Sequence, residues 1–287
     1  MKKLLILSGK GGTGKTTVAS AFIKLSSARA FADCDVDAPN LHLVLAQKSV
    51  PEKNAYYGMG KAKINSDKCL SCGLCMSNCR FDAIKEANAI FEVDYYACEG
   101  CSVCQAICPS GAVNIYADVA GELTLYKNDK LFSTAALKMG SGTSGKLVTE
   151  VKKQLKPAEE YADIAIIDGS PGIGCPVIAS ISGVDIVLVV AEPSLSGISD
   201  MERIIETAKK FHVKTVVCVN KFDTNIDNSN RIEKFCSKQG LSFAGKIPFD
   251  FNFVNALNEG ENIIDIKCEG ARAIKEIYKK TFCLLGV

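Results

Sequence analysis

Eight cysteines of the 287-residue chain fall into two runs with the same spacing, C-x₂-C-x₂-C-x₃-C. The first run contains Cys69, Cys72, Cys75 and Cys79, and the second contains Cys98, Cys101, Cys104 and Cys108. Cysteines this close together cannot satisfy disulfide geometry within a run, but three thiolates of one loop can ligate the irons of a cubane. The spacing therefore predicts iron–sulfur chemistry, with zinc knuckles as the alternative for the same residue types.

The cysteine segment resembles the bacterial two-cluster ferredoxins over residues 60–117, although the proline that follows the second run as Pro109 is replaced by Arg80 after the first. In those ferredoxins the fourth cysteine of each run ligates the other cluster. The resemblance implies two [4Fe–4S] clusters and a one-electron relay, with purely structural clusters as the alternative. The expected ligands are Cys69, Cys72, Cys75 and Cys108 for one cluster, and Cys98, Cys101, Cys104 and Cys79 for the other.

A second set of chemistry-bearing residues is the sequence GKGGTGKTT at residues 9–17. It fits the G-x-x-x-x-G-K-[ST] phosphate-binding loop, and it lies between an apolar run and a helical pattern, as that loop should. Lys15 would neutralise the outer phosphates, and the Thr16 hydroxyl would ligate Mg²⁺. Backbone N–H groups of the glycine-rich turn would wrap the phosphates. The predicted nucleotide-binding residues here are Gly9, Gly11, Gly12, Thr13, Gly14, Lys15, Thr16 and Thr17.

Lys10 is a second lysine that a minimal phosphate loop does not need. With it, the loop resembles K-G-G-x-G-K-T-T of the deviant phosphate-loop ATPases, which include MinD, the ParA partition ATPases, the Mrp-type iron–sulfur carriers and the nitrogenase iron protein. In that family the extra lysine reaches the nucleotide of the partner subunit. The resemblance implies that Lys10 acts in trans and that a homodimer forms when ATP binds.

Two acidic stretches that follow apolar runs resemble further motifs of the same family. The first begins at Asp33 and places three carboxylates within five residues, where they repel one another unless a cation or water network needs them. By resemblance, Asp35 orients or activates the attacking water and Asp33 lies near Mg²⁺. In the second stretch, Asp168 would hold Mg²⁺. The expected catalytic residues are therefore Lys10, Lys15 and Asp35, and the expected Mg²⁺ residues are Thr16, Asp35 and Asp168.

The residues that would contact the base follow a predicted strand at residues 213–219. They begin with Asn220 in the sequence NKFD, and N-K-x-D is the guanine-reading motif of GTPases. In the deviant-lysine ATPases an asparagine at this place contacts adenine instead, so we expect Mg·ATP, with GTP as the alternative. Pro248 follows the last predicted strand, in a stretch that resembles the family loop closing over the nucleotide.

The alternation of strand and helix patterns predicts an α/β fold, with a mostly parallel sheet and helices on both faces. By resemblance this is a P-loop NTPase of the SIMIBI type, interrupted by a small α+β domain like a bacterial ferredoxin. We expect the ATPase domain at residues 1–59 and 118–287, and the inserted domain at residues 60–117. A short helix is expected at residues 41–46 and a hairpin at residues 121–137.

Residues 140–147, GSGTSGKL, nearly repeat the phosphate-loop pattern. Leu147 takes the place of the metal-binding hydroxyl and no strand is expected to precede the segment, so it should not bind a second nucleotide. The segment resembles the loop of the nitrogenase iron protein that carries a cluster ligand, whose position Thr143 takes here. Cys175 has the spacing of the second such ligand, and without its pair we expect it to be a buried apolar residue.

The composition of the chain bears on its expected partners and on its location in the cell. The formal net charge of +2 favours neither nucleic acid nor an anionic membrane as a partner. No run of about 18 apolar residues occurs, and the chain leads directly into a predicted strand, so we expect no membrane span, no signal peptide and a cytoplasmic location. With 47% apolar residues, a packed core is expected.

These patterns predict a Mg²⁺-dependent ATPase that couples nucleotide-driven dimerisation to electron transfer through two [4Fe–4S] clusters, or to metallocofactor assembly on a protein partner. One alternative is a positioning or scaffold ATPase like MinD and ParA, whose clusters sense redox state. The other is an iron–sulfur cluster carrier. Against the carrier, full sets of four cysteines hold a cubane tightly, whereas a carrier needs a labile cluster.

Overall fold

A nine-stranded sheet forms the centre of the computed structural model, which describes residues 1–45, 47, 49–87 and 90–286. The strands of the protein in chain order are β1 (Lys2–Leu7), β2 (Ala30–Asp33), β3 (Glu52–Tyr57), β4 (Lys61–Ile64), β5 (Ile84–Ala87), β6 (Ile90–Val93), β7 (Val113–Tyr116), β8 (Val119–Lys127), β9 (Leu131–Leu137), β10 (Ile164–Asp168), β11 (Ile186–Ala191), β12 (Lys214–Asn220) and β13 (Ser242–Ile247). The α-helices are α1 (Lys15–Leu25), α2 (Leu41–Val44), α3 (Leu74–Ser77), α4 (Val103–Ala106), α5 (Ser144–Lys153), α6 (Cys175–Ile181), α7 (Leu195–Lys210), α8 (Ile226–Lys238), α9 (Asn252–Glu259) and α10 (Glu269–Leu285).

The strand order in the large sheet is β13-β12-β11-β1-β10-β2-β9-β8-β3. Neighbours from β13 to β9 are parallel, and only β8 and β3 add antiparallel pairs at one edge. The predicted mostly parallel sheet is thereby confirmed. Because parallel strands share one carboxyl edge, the loops after β1, β2, β10 and β12 all lie along the same edge, where open α/β sheets bind their ligands.

Helices cover both faces of this sheet, as the sequence predicts. Along β1, Leu5 and Leu7 pack into one core with α5, α6, α7 and α8, while Leu4 and Ile6 pack into the other with α1, α9 and α10. All four side chains are fully buried. A strand buried on both faces reads as a continuous apolar run, which is why the sequence signal for β1 is strong.

Two small antiparallel sheets lie between β3 and β8 in the chain. One pairs β4 with β7 and the other pairs β5 with β6, and α3 and α4 each lie within one of the cysteine runs. Ala62, Ile84, Phe91 and Val113 are among the residues of a separate apolar cluster beneath these strands. This part of the chain therefore has a core of its own, next to the two cores of the large sheet.

Two expectations about individual elements were not met. The predicted helix at residues 41–46 ends as α2 at Val44, and Ala46 lies outside the described residues. The expectation that no strand precedes residues 140–147 was wrong, because the predicted hairpin forms and its second strand, β9, ends at Leu137. No helix in the described part of the chain combines the length and apolar character needed to span a bilayer.

Candidate functional site

The predicted phosphate loop joins β1 to α1 at the carboxyl edge of the sheet. Gly12 and Gly14 have φ values of 78° and 88°, in the left-handed region that glycine adopts without steric cost. A Cβ added at Gly14 would lie 2.3 Å from Nδ2 of Asn220, and one added at Gly9 would lie 2.1 Å from Cβ of Asp200. The end of β12 and helix α7 thus pack closely against the loop, and a larger residue than glycine would clash at both contacts.

Lys15 forms a buried ion pair at the start of α1. Its Nζ lies 2.5 Å from Oδ1 of Asp168, with the two side chains 6% and 0% exposed. The other carboxylate oxygen of Asp168, Oδ2, is buried without a hydrogen-bond partner, and the Thr16 hydroxyl lies 3.5 Å from Nζ of Lys15. A hydroxyl and an unpartnered carboxylate oxygen beside a phosphate loop are ligands that suit Mg²⁺, which takes one or two protein oxygens together with substrate phosphates.

Asp33 organises the first acidic loop. Its Oδ1 accepts a hydrogen bond from the backbone N–H of Asp35 at 3.0 Å, and its Oδ2 accepts from Asn40 at 3.0 Å and Leu41 at 2.9 Å. Burial, together with the neighbouring charge of Asp168, raises the pKa of Asp33 to about 7. Both oxygens of Asp33 are thus used to fold the loop, a role that the sequence did not indicate.

The folded loop places Asp35 and Asp37 along the cleft. Burial raises the pKa of Asp35 above its ordinary value, and Asp168 adds to this while Lys15 opposes it. A carboxylate with a raised pKa is a better proton acceptor near neutral pH. The geometry is therefore compatible with the predicted water-activating role of Asp35, which stays a prediction.

The NKFD sequence begins with the last residue of β12 and contacts the phosphate loop through two hydrogen bonds. Nδ2 of Asn220 donates to the backbone oxygen of Thr13 at 2.7 Å, and Nζ of Lys221 donates to that of Gly12 at 3.0 Å. Asp223 accepts from the backbone N–H of Phe249 at 2.7 Å, which ties the motif to the loop that contains Pro248. Asn220 thus lies in the predicted site with its amide already engaged by the loop, and its contact with the base stays a prediction.

Lys10 is held within its own chain. Its Nζ lies 2.7 Å from Oε2 of Glu192 and 3.2 Å from the hydroxyl of Ser194, in the loop between β11 and α7. The Lys10 side chain is 37% exposed, so this pair is accessible from solvent. Sequence reasoning missed Glu192, and the only signal for it was its place directly after a predicted buried strand.

These elements enclose one continuous cleft along the carboxyl edge of the sheet. It is lined by Ser8, Lys10, Gly11, Gly12, Thr13, Gly14, Lys15, Thr16, Thr17, Asp35, Asp37, Ala38, Asn40, Ser170, Pro171, Asn220, Lys221, Pro248, Phe249, Asp250, Phe253, Val254 and Leu257. One end carries the glycine-rich loop and charges, and the other carries apolar side chains of α9 and the loop before it. A polyphosphate at one end and a flat apolar base at the other would match this division.

The cysteine runs line two separate cavities. Cys69, Cys72, Cys75 and Cys108, hereafter the first cysteine group, line one cavity. Cys79, Cys98, Cys101 and Cys104, the second cysteine group, line the other cavity. The structure therefore brings the fourth cysteine of each run to the cavity of the other run, in the crossed arrangement that the ferredoxin resemblance implies. All of these cysteines are free thiols.

The two cysteine loops share an unusual backbone. Residues in the left-handed region occur at corresponding places, Ser71 and Gly73 in the first run and Gly100 and Ser102 in the second. These turns let successive side chains of a short loop converge on one point. Backbone N–H groups also point at sulfur, from Ala112 to Cys108 at 3.3 Å and from Ala62 to Cys98 at 3.4 Å.

Four thiols around each cavity are the ligand set that a [4Fe–4S] cluster needs, and the cluster itself stays a prediction. Among the described residues, no three His, Cys, Asp or Glu side chains are placed to hold one metal ion. A cubane spreads its thiolates over four irons, and N–H groups aimed at sulfur are known to tune such clusters. Burial raises the pKa of Cys75 and Cys104, so a cluster that bound here would displace protons from these thiols.

Cys175 does not behave as expected. It is exposed at the start of α6, so the prediction of a buried apolar residue was wrong. Its backbone packs closely on α5, since a Cβ added at Gly145 would lie 3.2 Å from both Cβ and the carbonyl oxygen of Cys175. Leu147 is fully buried in the core, as its apolar character suggests.

Comparison with known proteins assigns the family. The nucleotide binding domain described as CobQ/CobB/MinD/ParA matches residues 4–263 of the chain. The chain belongs to this family. It is 34% identical to an uncharacterized protein of Methanocaldococcus jannaschii, over 97% of this chain and 95% of that protein.

Two further comparisons concern a named relative and a solved structure. The chain is 25% identical to the iron-sulfur cluster carrier protein of Pyrococcus abyssi, over 97% of this chain and 84% of the relative. It superposes on the septum site-determining protein MinD of Pyrococcus horikoshii, complexed with Mg-ADP, with a TM-score of 0.61 and 19% identity, covering 99% and 97% of the two chains. The protein is thus a P-loop nucleotide-binding protein of the MinD and ParA family, with a MinD-like fold.

Proposed function

We propose that this member of the family is a Mg²⁺-dependent ATPase with a two-[4Fe–4S] ferredoxin domain inserted at residues 60–117. ATP-driven dimerisation and motion would be coupled to electron transfer through the clusters, or to metallocofactor assembly on a protein partner. One observation carries the proposal: two groups of four cysteines, each around its own cavity, belong to the same chain as a phosphate loop with an unpartnered carboxylate oxygen.

In the nucleotide site, Lys15 and the backbone N–H groups of the loop would bind the β- and γ-phosphates. Thr16, Asp35 and Asp168 would hold Mg²⁺, which when bound would neutralise charge that develops on the phosphates. Asp35, which lines the cleft beside the phosphate loop, would orient the attacking water. Asn220 and Pro248 would bound the adenine, with Asn220 also fixing the loop through Thr13.

Formation of the dimer would change the partner of Lys10. In the single chain this lysine is paired with Glu192 at 2.7 Å. A partly exposed ion pair of this kind contributes less than about 1 kcal/mol, so a polyphosphate can compete for the lysine. We infer that Lys10 leaves Glu192 when a second subunit with bound ATP docks, and completes that subunit's site.

In the inserted domain, each cysteine group would hold one cluster. The clusters, when bound, would supply one-electron transfer. The cysteine side chains would provide four thiolates per cluster, and the left-handed turns at Ser71 and Gly100 would keep the loops in the shape that brings those thiolates together. The N–H groups of Ala62 and Ala112, which point at sulfur, would stabilise the negative charge of the bound centre.

The test uses protein purified without oxygen and treated with a reductant. We expect about eight irons per chain, hydrolysis of Mg·ATP, and a change of the cluster EPR signals when Mg·ATP is added. Lys15→Ala is the matched control, because it should retain iron and lose both hydrolysis and the ATP-dependent EPR change. The proposal would be contradicted by far fewer irons per chain or by a lack of Mg·ATP binding. It would also be contradicted by EPR signals that stay the same when the nucleotide is added.

A second candidate is an iron–sulfur cluster carrier, which the name of the 25% identical Pyrococcus abyssi relative favours. The four thiolates around each cavity favour tight binding instead. Incubation of the loaded protein with an apo-ferredoxin separates the two candidates. Rapid transfer of intact clusters would favour the carrier, whereas retention of iron through many ATP turnovers would favour the coupled ATPase.

A further inference from the structure

The second cysteine group is in contact with the large-sheet part of the chain through Glu99, the residue after Cys98. A Cβ added at Gly142 would lie 2.8 Å from Oε2 of Glu99, and Glu99 lines a small pocket together with Ser141, Gly142 and Thr143. At the corresponding place in the first run, Leu70 is 68% exposed. The two cysteine groups therefore differ, since only the second loop carries this residue against residues 138–143.

Residues 138–143, hereafter the connecting segment, are flanked on both sides by residues that contact the loops of the nucleotide site or the helix that follows one of them. Before the segment, the backbone N–H of Leu137 at the end of β9 donates to the carbonyl of Val36 at 2.8 Å, inside the first acidic loop. After it, α5 begins, and its Gly145 backs directly on Cys175. Cys175 starts α6, which follows the loop after Asp168. The connecting segment thus lies between both acidic loops and the second cysteine group.

Helices α5 and α6 are joined into one unit. Nζ of Lys152 on α5 donates to three carbonyl oxygens at the end of α6, those of Ala179 at 2.9 Å, Ser180 at 2.7 Å and Ser182 at 2.5 Å. A cation on the last carbonyls of a helix satisfies groups that have no partner within the helix. A shift of α6 therefore moves α5, and with it the end of the connecting segment.

The end of the connecting segment contains a buried polar group without a partner. The hydroxyl of Thr143 is buried and makes no hydrogen bond, and a Cβ added at Gly58 would lie 2.9 Å from it. A buried hydroxyl without a partner is unfavourable, so an arrangement that gives the Thr143 hydroxyl a partner can compete with this one. A transmitted change needs such an element, with two arrangements of similar free energy.

We propose that the connecting segment transmits the nucleotide state to the second cysteine group and not to the first. When Mg·ATP binds, the loop after Asp168 and α6 move α5, the segment shifts against Glu99, and the carboxylate of Glu99 changes its place beside the second group. A charge that moves near a cluster changes its reduction potential. This inference rests on the proposed function, because it supposes both the ATP site and the clusters.

Hydrogen–deuterium exchange of the full, iron-loaded chain tests the proposal without measuring activity. Exchange is followed by mass spectrometry with and without Mg²⁺ and a non-hydrolysable ATP analogue. We expect the analogue to slow exchange several-fold in residues 9–17, to change it several-fold in residues 138–146 and 98–104, and to leave residues 69–75 unchanged. A redox titration should show one cluster shifting its potential with the analogue while the other does not.

Glu99→Leu is the decisive variant, because it gives the second loop the residue of the first. It should retain iron and protection of residues 9–17, and lose the response of residues 98–104. Leu70→Glu, at the corresponding exposed position, is the matched control and should respond like the natural chain. Gly145→Ala changes the contact between α5 and α6 instead, because the added methyl group would crowd Cys175. This variant replaces Glu99→Leu in the test if Glu99→Leu loses iron.

The outcomes separate this inference from the proposed function. If residues 9–17 are protected but residues 98–104 are not affected, or if both cysteine loops respond equally, the connecting segment does not have this role and the ATPase proposal stands. An unchanged response in Glu99→Leu or Gly145→Ala has the same meaning. If residues 9–17 show no protection, the nucleotide site itself is refuted and the inference falls with it.

Discussion

Replacing Gly14 by alanine tests whether the phosphate loop depends on the contact beneath it. Gly14 has a φ of 88°, and an added Cβ would lie 2.3 Å from Nδ2 of Asn220. That amide donates to Thr13 at 2.7 Å, so the new methyl group would displace a buried hydrogen bond of the loop. Gly12 is the matched control, because its φ of 78° is similar and no atom lies within 4 Å of an added Cβ.

The expected magnitude follows from these two differences. A left-handed conformation costs an alanine about 1–2 kcal/mol, and Gly12→Ala carries this cost alone. If the strain reduces the population of the binding-competent loop, the affinity for Mg·ATP falls about 5-fold to 30-fold in Gly12→Ala. Gly14→Ala also leaves the buried groups of the Asn220–Thr13 hydrogen bond unpaired, which costs about 1–3 kcal/mol, so its affinity should fall at least about 30-fold.

The assay is a fluorescence titration with a labelled ATP analogue and Mg²⁺, together with the free energy of unfolding of each variant. Asn220→Ala closes a double-mutant cycle. Because it removes the amide that the methyl group would strike, Gly14→Ala should cost less in that background. Equal losses for Gly12→Ala and Gly14→Ala, or strict additivity of Gly14→Ala and Asn220→Ala, would refute the reasoning.

Three further predictions concern other parts of the molecule. Burial lowers the pKa of Lys152 from 10.5 to about 8, so between these pH values the unfolded chain binds more protons than the folded chain. As the pH rises through this range, the free energy of unfolding of the natural chain, measured in urea, should therefore increase by at most about 3 kcal/mol relative to that of Lys152→Met. A difference that stays flat or falls would contradict this. Because Cys72 and Cys108 line one cavity, the double variant Cys72→Ser/Cys108→Ser should retain about four irons, as should Cys72→Ser alone. The control Cys283→Ser should stay fully loaded. Loss of all iron from the double variant would exclude the crossed arrangement. Asp168→Asn removes the oxygen without a partner, so titrations with and without Mg²⁺ should give nearly equal ATP affinities, and full retention of the Mg²⁺ effect would place the cation elsewhere.

Much of the fold could be read from local patterns. The apolar run of β1, the glycine-rich turn and the start of α1 are adjacent in the chain, so their order alone predicts a phosphate loop. Asp168 and Asn220 were found in the same way, because each directly follows a run of apolar residues in a strand. The hairpin of β8 and β9 followed from alternating residues and a turn.

Contacts between distant segments were not predictable by these means. Cys175 was expected to be buried because an unpaired cysteine is usually a small apolar residue, but α6 begins at the surface and exposes it. Glu192 was missed because nothing in its neighbourhood indicates that Lys10 lies beside it. Asp33 resembled a metal-site residue, yet the fold of the loop takes up both of its oxygens.

The sequence by itself determined the chemical inventory: a phosphate loop with an additional lysine, acids at strand ends, and two cysteine runs with the spacing of cubane ligands. These are short-range patterns, set by residue type and by the periods of helix and strand. Only the tertiary structure decided that Lys10 is paired with Glu192 and that Glu99 lies against Gly142. It also places the last cysteine of each run at the cavity of the other run, as the ferredoxin resemblance implied. Such contacts depend on how whole elements pack, because packing joins residues that the chain keeps far apart.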